Sequence, residues 1–359
     1  MHAVFATASA SCTLFAALAI APPVAPAQEP AKPPAPAAAA GFKKVAEWKL
    51  GGEGGWDYLT VDGAGKRVYV SRSTHVMVVD LEKGTLVGDI PDTQRVHGIA
   101  LAPDCGRGVI TAGGTDEAVI FDVATLKVSS RLKTGKGPDA TLYEPTTKRV
   151  YAFCGRGAEA TVIDVAKGEV AGTIALGGQP EAGVADGAGH VYVNLEDKSE
   201  IVAIDAAKMQ VTAHWSIAPG EGPSGLALDV AHHVLFSGCH NQKMVMVDAQ
   251  SGKVITTLPI GGGVDGCAFD PALACAFSSN GDGTMTVVHE DAPDQFTVVE
   301  NVATKRGSKT MALDPATHRA YLGAADFEAP AAAPAAGNGG RPPRPQPVAG
   351  SFSLLVFSR

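Results

Sequence analysis

A short apolar stretch that ends in an acid recurs at regular intervals along the chain. The copies are VMVVD, AVIFD, ATVID, IVAID and MVMVD, which end at Asp80, Asp122, Asp164, Asp205 and Asp248. The intervals between these acids are 42, 42, 41 and 43 residues, and a sixth copy, MTVVHE, ends near Glu290. A period of about 40–45 residues that contains several short strands is typical of the blades of a β-propeller.

Each repeat predicts four strands. A first strand such as HGIAL leads into a turn, and a second strand such as RVYVS follows it. The apolar-acid stretch is the third strand, and after a Lys-Gly or Ser-Gly turn a fourth strand such as KVITTLPI completes the unit. Alternating apolar positions and β-branched residues favour strands, and the turn residues stand where hairpins need them. Four strands make one blade.

The number of first strands gives the number of blades. These strands begin at seven residues, which are Asp57, His97, Asp139, Glu181, Ser224, Asp265 and Lys309. The last repeat supplies only three strands, and residues 42–52 (FKKVAEWKLGG) have the fourth-strand pattern that it lacks. We therefore predict an all-β fold over residues 42–359, a single seven-bladed propeller whose last blade is closed by the N-terminal strand. Such closure removes exposed sheet edges.

The N-terminus predicts export. Residues 13–21 (TLFAALAIA) form an apolar run that is too short to span a bilayer, and Ala25-Pro26-Ala27 has the small-x-small pattern of a cleavage site. No Lys or Arg precedes the run. We interpret residues 1–27 as a signal peptide and residues 28–41 as a Pro/Ala-rich linker. The expected location is periplasmic or secreted, with no membrane span.

Composition and cysteine spacing exclude several classes of function. The net charge of −8 argues against nucleic acid as a partner, because that affinity comes from clustered Lys and Arg. Five cysteines follow the predicted cleavage site, at positions 105, 154, 239, 267 and 275. None has C-x-x-C or C-x-x-C-H spacing, so motifs for zinc, haem or dithiol chemistry are absent. We expect small buried thiols.

The repeat resembles a known family. The unit RVYVSRSTHVMVVDLEKGTLVGDI resembles the YVTN repeat of YncE-like propellers, and GKGPDATL, GGQPEAGV and GEGPSGLAL resemble the Gly-Pro start of that family's first strands. The likeness covers residues 42–359 apart from one insertion. The resemblance implies an extracytoplasmic seven-bladed propeller and supplies no reaction. Related propellers include lactonases of sugar metabolism, which keeps an enzymatic alternative open.

The seven first-strand residues form the main candidate site. First strands line the central channel of a propeller, so the ring of these residues is predicted to converge at the channel mouth. Neighbouring carboxylates raise one another's pKa unless a cation offsets them, and oxygen-rich rings suit Ca²⁺ or Mg²⁺. The candidate metal ligands are Asp57, Asp139, Glu181 and Asp265. A water-filled polar channel and a metal-free ligand site are the alternatives.

Loops between second and third strands are predicted to share the face of the channel mouth. The candidate ligand-binding residues in them are Arg72, Arg156, Glu196, His240 and Asn280. The two arginines are placed to clamp a carboxylate or phosphate, or else are solvated. His232 and His233 fall in a turn on the opposite face and are expected to be solvated.

An insertion interrupts the last blade between its second and third strands. Residues 329–350 are rich in Pro, Ala and Gly, which predicts a disordered loop over the channel mouth. Arg341 and Arg344 in this segment suggest the alternative that it tethers a partner or partly covers the mouth.

These features predict a scaffold that binds an unknown small molecule or protein through the channel-mouth face. The alternative is a metal-dependent hydrolase of the lactonase type at the acidic ring, with the metal as Lewis acid and an Asp or His97 as base. The sequence has no nucleophile elbow and no metalloprotease helix. A divalent cation is the only cofactor that the sequence suggests, and a monomer is expected.

Overall fold

The computed structural model describes residues 1–2, 41–328 and 346–359. The predicted signal peptide and linker lie outside the described residues except at positions 1, 2 and 41. The described residues from 41 onward form one unit by their contacts. In the described part of this unit the chain builds only antiparallel four-stranded sheets, seven in number, together with two single-turn 3-10 helices. The prediction of an all-β seven-bladed propeller is confirmed.

Strand bounds follow the predicted repeat closely. The N-terminal strand and the first three blades comprise β1 (Lys43–Lys49), β2 (Leu59–Asp62), β3 (Arg67–Arg72), β4 (His75–Asp80), β5 (Leu86–Ile90), β6 (Val96–Ala102), β7 (Arg107–Ala112), β8 (Glu117–Asp122), β9 (Val128–Lys133), β10 (Pro138–Glu144), β11 (Arg149–Cys154), β12 (Glu159–Asp164) and β13 (Glu169–Ala175). The 3-10 turns are Pro103–Cys105 in blade 2 and Gly155–Gly157 in blade 3.

Blades 4 to 7 repeat the same order. Their strands are β14 (Pro180–Ala185), β15 (His190–Leu195), β16 (Glu200–Asp205), β17 (Gln210–Ser216), β18 (Pro223–Asp229), β19 (Val234–Cys239), β20 (Lys243–Asp248), β21 (Val254–Pro259), β22 (Val264–Asp270), β23 (Cys275–Asn280), β24 (Thr284–Ala292), β25 (Gln295–Ala303), β26 (Met311–Asp314), β27 (Arg319–Ala324) and β28 (Ser353–Ser358).

The N-terminal strand closes the ring, as predicted. The last sheet has the order β1-β28-β27-β26, and Lys49 of β1 stands opposite Ser353 of β28. Just before β1, Phe42 is 4% exposed and packs edge-on against Phe277 of blade 6, with ring centroids 5.1 Å apart. The first strand in the chain therefore joins the last blade to its neighbour, and no blade is left with an unpaired fourth position.

The core lies between blades. One cluster joins Tyr69 and Val78 of blade 1 to Ile110 and Phe121 of blade 2, and the two rings lie 5.8 Å apart. Because each sheet is covered on both faces by neighbouring blades, the third strands are apolar at consecutive positions and lack the alternation of a half-exposed strand. This explains why stretches such as VMVV recur.

The acid that ends each apolar stretch holds a turn. Oδ1 of Asp80 accepts hydrogen bonds from the backbone N–H groups of Glu82 and Lys83, both at 2.8 Å. Such side-chain bonds to the following backbone are typical of Asp in turns. In blade 6 the register pairs Cys275 with His289, as Val234 pairs with Asp248 in blade 5. The counterpart of the acid in that blade is thus His289, and our alignment of Glu290 with the other acids is off by one residue.

The five cysteines after the predicted cleavage site are all unpaired. Cys154, Cys239 and Cys275 are fully buried, and burial raises the pKa of the Cys239 thiol to about 11. These three thiols are packing residues, as expected, whereas Cys105 and Cys267 are only partly buried. Among the described residues no helix has the length and apolarity needed to cross a bilayer.

Candidate functional site

The channel-mouth ring is built at the start of the first strands. In blade 3, Pro138 pairs with Cys154, and the next pair is Thr141 with Ala152. Two residues, Asp139 and Ala140, therefore face one residue of the partner strand. The same shift in register follows the first residue of the first strands in blades 2, 4, 5 and 6. A bulge of this kind changes the direction of a side chain. In each of these blades the bulge includes the ring residue, such as Asp139 in blade 3.

Glycines let neighbouring first strands approach closely just after the ring residue. A Cβ atom on Gly98 would lie 2.8 Å from the carbonyl oxygen of Asp139, and one on Gly225 would lie 2.6 Å from the backbone nitrogen of Cys267. Neither position has space for a side chain. The His97-Gly98 and Ser224-Gly225 pairs thus place a ring residue where its blade touches the next one.

Polar residues at the fifth position of some second strands form hydrogen bonds with the backbone of the ring residues in the next blade. The Thr111 hydroxyl accepts from the backbone N–H of Gly98 at 2.8 Å and donates to the carbonyl of Asp139 in the next blade. In the same way Nδ2 of Asn194 donates to the carbonyl of Ser224 at 3.0 Å. Both side chains are buried. We did not predict this role of Thr111 and Asn194 from the sequence. The feature that could have indicated it is a polar residue inside an otherwise apolar strand.

Three ring residues meet at one side of the mouth. Nδ1 of His97 lies 2.6 Å from Oδ2 of Asp57 and 3.6 Å from Oδ1 of Asp139. The three side chains are 21–30% exposed, and their nearest ligand atoms all lie within 4.8 Å of one another. Burial lowers the pKa of His97, but the hydrogen bond with Asp57 and the charge of Asp139 outweigh it and raise that pKa.

The opposite side of the ring contains a second set of contacts. Oγ of Ser224 donates to Oδ1 of Asp265 at 2.7 Å, and the ammonium group of Lys309 pairs with Oδ2 of the same carboxylate. Burial opposes the charge of Lys309, but Asp265 raises its pKa overall. Lys309 is therefore charged, and most of its charge is directed at Asp265.

Two carboxyl groups of the ring, those of Glu181 and Asp139, have raised pKa values. Burial, followed by the charges of Asp139 and Asp265, raises the pKa of Glu181 to about 9. Burial also raises the pKa of Asp139 to about 6, against the opposing effect of His97. Both shifts have the sign expected for carboxylates that are gathered with too few cations around them.

Tyr58 lies beside the ring and was not anticipated. Burial, then the charges of Asp139 and Glu181, raise the pKa of its hydroxyl well above the usual value. The side chain of Tyr58, from blade 1, packs against the core cluster between blades 3 and 4. It therefore reaches across the channel. Nothing in its sequence context distinguishes it from the aromatic residues of the core.

The channel contains room for a small ligand. A cavity of about 160 Å³ is lined by Tyr58, Gly98, Thr141, Gly225 and Asp265, which is space for several water molecules. A wider cavity of about 270 Å³ lies at the mouth between Trp56, Asp57, His97 and Lys309. Of the ring residues, Asp265 lines the first space, and Asp57, His97 and Lys309 line the second.

The structure corrects the role predicted for Arg72. Its side chain is 1% exposed. The guanidinium donates to the carbonyls of Gly51, Glu53 and Gly54 at 3.0–3.1 Å and lies 3.9 Å above the ring of Phe352. Arg72 holds the segment that leads into blade 1, and it cannot clamp a ligand.

Asn280 is also a structural residue. It is fully buried at the end of β23, and its Nδ2 donates to the hydroxyls of Thr284 and Thr286 at 3.0 and 3.1 Å. Both Arg72 and Asn280 belong to strands whose two faces are covered, so the end of the strand is buried even where the residue is polar. The prediction that Asn280 binds a ligand is wrong for this reason.

The remaining loop residues lie at the rim. Arg156 is 62% exposed and pairs with Asp116 at 3.2 Å, and it lines a cavity of about 120 Å³ together with His97 and Asp139. Nδ1 of His240 lies 3.4 Å from Oε1 of Glu196. Arg156 thus remains a candidate for ligand contact, and the Glu196–His240 pair joins two blades beside the ring.

Both ends of the insertion are ordered where the structure describes them. Phe327 and Pro347 form an antiparallel bridge, and the N–H of Val348 donates to the carbonyl of Asp326 at 2.8 Å. Phe327 contacts Trp56, with ring centroids 6.2 Å apart, so the base of the insertion lies beside the channel mouth. The rest of the predicted loop, residues 329–345, with Arg341 and Arg344, is outside the described residues.

Comparison with known proteins identifies the fold. No protein-family model and no curated protein matches the chain. Among solved structures, hydrazine synthase from Kuenenia stuttgartiensis is similar, with a TM-score of 0.67 and 16% sequence identity over 75% of this chain and 92% of that chain. At this identity the likeness shows the fold and not the activity. The chain is a seven-bladed β-propeller, and its YncE-like resemblance remains a prediction.

Proposed function

We propose that this propeller is a non-enzymatic binding protein whose channel mouth holds a small cationic ligand, of which Ca²⁺ or Mg²⁺ is the simplest. The observation that carries the proposal is the imbalance of charge in the ring. Asp57, Asp139, Glu181 and Asp265 bring four carboxylates together, while His97 and Lys309 are the only basic members of the ring. Burial and then the neighbouring carboxylates raise the pKa of Glu181 to about 9, and a bound cation would offset the part that comes from those carboxylates.

The ligand set favours a hard cation. Asp57 and Asp139 offer carboxylate oxygens next to His97, and Asp265 and the hydroxyls of Ser224 and Tyr58 lie on the rest of the ring wall. Oxygen ligands in a flexible, partly hydrated site suit Ca²⁺ and Mg²⁺. The cavities at the mouth leave room for water molecules to complete the coordination.

The site of action that we propose is outside the cytoplasm. The support is the apolar run at residues 13–21, followed by the Ala25-Pro26-Ala27 pattern. A binding protein in that compartment would meet Ca²⁺ and Mg²⁺ as well as organic cations.

The enzymatic alternative uses the same residues. Asp57, His97 and Asp139 lie within 4.8 Å of one another. A metal-dependent lactone hydrolase at this site would hold the metal with some of the ring carboxylates and would keep an Asp or His97 that is not a metal ligand as its base. No further observation favours hydrolysis over binding.

The experiment that tests the proposal is thermal unfolding of the full chain with Ca²⁺, Mg²⁺, Mn²⁺ or Zn²⁺. A ligand that binds only the folded state raises Tm, by several degrees when it is well above its Kd. The wild-type protein should show this rise with Ca²⁺ or Mg²⁺, the ions that the mouth is proposed to hold, and Asp139→Asn should lose it. Asp104→Asn is the matched control, because Asp104 is half exposed and pairs with Lys148 away from the mouth.

Two outcomes would change the assignment. If no ion raises Tm and the purified protein contains no metal, the cation-binding proposal is wrong. If an ion binds and the loaded protein also hydrolyses lactones, with both properties lost in Asp139→Asn, the protein is an enzyme and the hydrolase replaces the scaffold.

A further inference from the structure

A buried carboxylate in blade 6 stands where other blades bury an apolar side chain. The residue after the repeating acid is Leu81, Val123, Val165, Ala206 and Ala249 in blades 1 to 5. In blade 6, where His289 stands in place of that acid, the following residue is Glu290, inside β24. Glu290 and Ala249 occupy equivalent positions in their blades, because their backbone N–H groups make equivalent hydrogen bonds. The N–H of Ala249 donates to the carbonyl of His233 and that of Glu290 donates to the carbonyl of Ala274, both at 2.8 Å.

The apolar residues at this position pack toward the preceding blade. Ala249 of blade 5 belongs to the core cluster that it shares with Tyr192 of blade 4. Ala206 of blade 4 packs in the same way with Tyr151 of blade 3. Glu290 accordingly points into the seam between blades 5 and 6, where an apolar residue would be the stable choice.

Glu290 is enclosed and lacks donors. Its side chain is 1% exposed, and neither carboxylate oxygen has a hydrogen-bond donor among the described residues. The second strand of blade 5 begins with Val234, whereas those of blades 1 to 3 begin with Arg67, Arg107 and Arg149. The arginine that could neutralise an acid in this seam is therefore missing.

The groups that face Glu290 are an imidazole and a carboxylate, which are common metal ligands. Nδ1 of His232 lies 3.0 Å from Oε1 of Glu290 and 2.6 Å from Oδ2 of Asp229. In the tautomer that carries its proton on Nδ1, the hydrogen bond goes to Asp229. The Asp229 side chain is 4% exposed. Its other oxygen, Oδ1, accepts from the N–H of Ala231 at 2.9 Å. Oδ2 of Asp229, the carboxylate of Glu290 and the imidazole of His232 thus converge on one point.

We propose that Asp229, His232 and Glu290 form a binding site for a divalent transition-metal ion in the seam between blades 5 and 6. The ligand atoms of the three residues lie within 4.8 Å of one another. One imidazole and two carboxylates suit Zn²⁺ and Mn²⁺ better than Ca²⁺. This site is separate from the channel mouth, because Ser224 of the ring and Asp229 lie at opposite ends of β18, roughly 16 Å apart along the strand.

The geometry needs little change to accept the ion. Tetrahedral ligands about 2.0–2.1 Å from a zinc ion lie roughly 3.3 Å from one another, compared with the 2.6 and 3.0 Å observed around His232. His232 is 49% exposed and belongs to a surface turn, so it can move outward by this amount. Its exposed side leaves a fourth position for water. The metal takes the place of the proton now held between His232 and Asp229.

The sequence interpretation of His232 as a solvated turn residue did not anticipate this cluster. The sequence feature that marks the cluster is Glu290, which lies one residue after the position of the repeating acid. A buried acid at a position that is otherwise apolar marks a site that the packing of the fold does not require.

The test is calorimetric titration of the full chain with Zn²⁺. The parent protein carries Asp57→Asn and Asp139→Asn, so that any site at the channel mouth is removed and only the seam is measured. We expect one ion per chain, with affinity reduced at least tenfold by His232→Ala and by Glu290→Gln. The matched control is His233→Asn, which removes an exposed imidazole next to the site and suits the positive φ of 58° there.

Glu290→Val is the second variant, because it restores the residue type that blade 3 uses at this position. It should fold, unfold at a higher temperature than the parent in the absence of metal, and bind no Zn²⁺. The proposal is overturned if the folded parent binds no Zn²⁺, or if both His232→Ala and Glu290→Gln bind it as tightly as the parent. Neither result would bear on the channel mouth, which the thermal-shift experiment tests separately.

Discussion

Nδ1 of His97 lies 2.6 Å from Oδ2 of Asp57, although the two residues are 40 positions apart in the chain. One belongs to the first strand of blade 2 and the other to the segment that leads into the first strand of blade 1. The contact exists because consecutive repeats place equivalent residues side by side around one channel. It is therefore a direct product of the repeat that is visible in the sequence.

Cation binding at the mouth should weaken in acid. The pKa of Asp139 is raised to about 6, so this carboxylate becomes neutral below pH 6. The pKa of His97 is raised above its ordinary value of 6.5, so the imidazole takes up its proton at a higher pH than Asp139 does. Each proton that a metal ion must displace lowers its affinity about tenfold per pH unit. Calcium titrations at pH 5, 6, 7 and 8 measure this. Equal affinity at pH 5 and pH 7 would contradict the assignment of these residues.

Glu181 should make the protein less stable as pH rises. Its pKa is about 4.5 in an ordinary environment and about 9 in the folded protein. Between these values the folded state holds a proton that the unfolded chain has released, so the free energy of unfolding falls with increasing pH. Glu181→Gln removes this dependence and should stabilise the protein by about 1–3 kcal/mol at pH 8. Urea unfolding of both proteins at pH 5 and pH 8 measures it.

The control for this experiment is Glu169→Gln, since the side chain of Glu169 is 60% exposed and pairs with Lys167 at the surface. Its stability should change by less than about 0.5 kcal/mol at either pH. A Glu181 variant that behaves like this control would show that Glu181 ionises normally.

Arg72 and Arg156 should differ sharply when replaced. Arg72→Met leaves three backbone carbonyls without their donor and is expected to lower the free energy of unfolding by about 2–4 kcal/mol. Arg156→Met removes an exposed side chain and should change it by less than about 0.5 kcal/mol. Urea unfolding distinguishes the two, and similar values for both variants would be inconsistent with a structural role for Arg72.

Closure of the ring should depend on Phe42. Phe42→Ala removes a buried ring that packs against Phe277, and the loss is expected to be about 3–4 kcal/mol. Val45→Ala in the adjoining strand β1 is the control, because Val45 is 47% exposed. Thermal unfolding of the two variants measures the difference. Equal Tm values would mean that the N-terminal strand contributes little to the last blade.

The repeat was enough to predict the architecture. The spacing of the acids from Asp80 to Asp248 counts the blades, and the missing fourth strand of the last blade leaves residues 42–52 as its only matching segment. Because a propeller has one channel and every first strand begins at it, the same pattern also brings Asp57, His97 and Asp139 together.

The wrong and missing predictions have a common physical origin. Alternation reports which face of a strand is exposed, but both faces of these strands are buried between blades, so the pattern says little about the burial of Arg72 or Asn280. The seam cluster was missed because Asp229 and Glu290 come from different blades, and their proximity depends on a one-residue offset at Glu290. Tyr58 looks like a core residue until the channel that it crosses is seen.

The most direct test of the central claim is a crystal of the protein soaked in Mn²⁺ and measured for anomalous scattering. We expect a peak at the channel mouth, within coordination distance of carboxylate oxygens of Asp57 and Asp139. A map with no peak at the mouth, from a crystal that has visibly taken up the ion elsewhere, would contradict it.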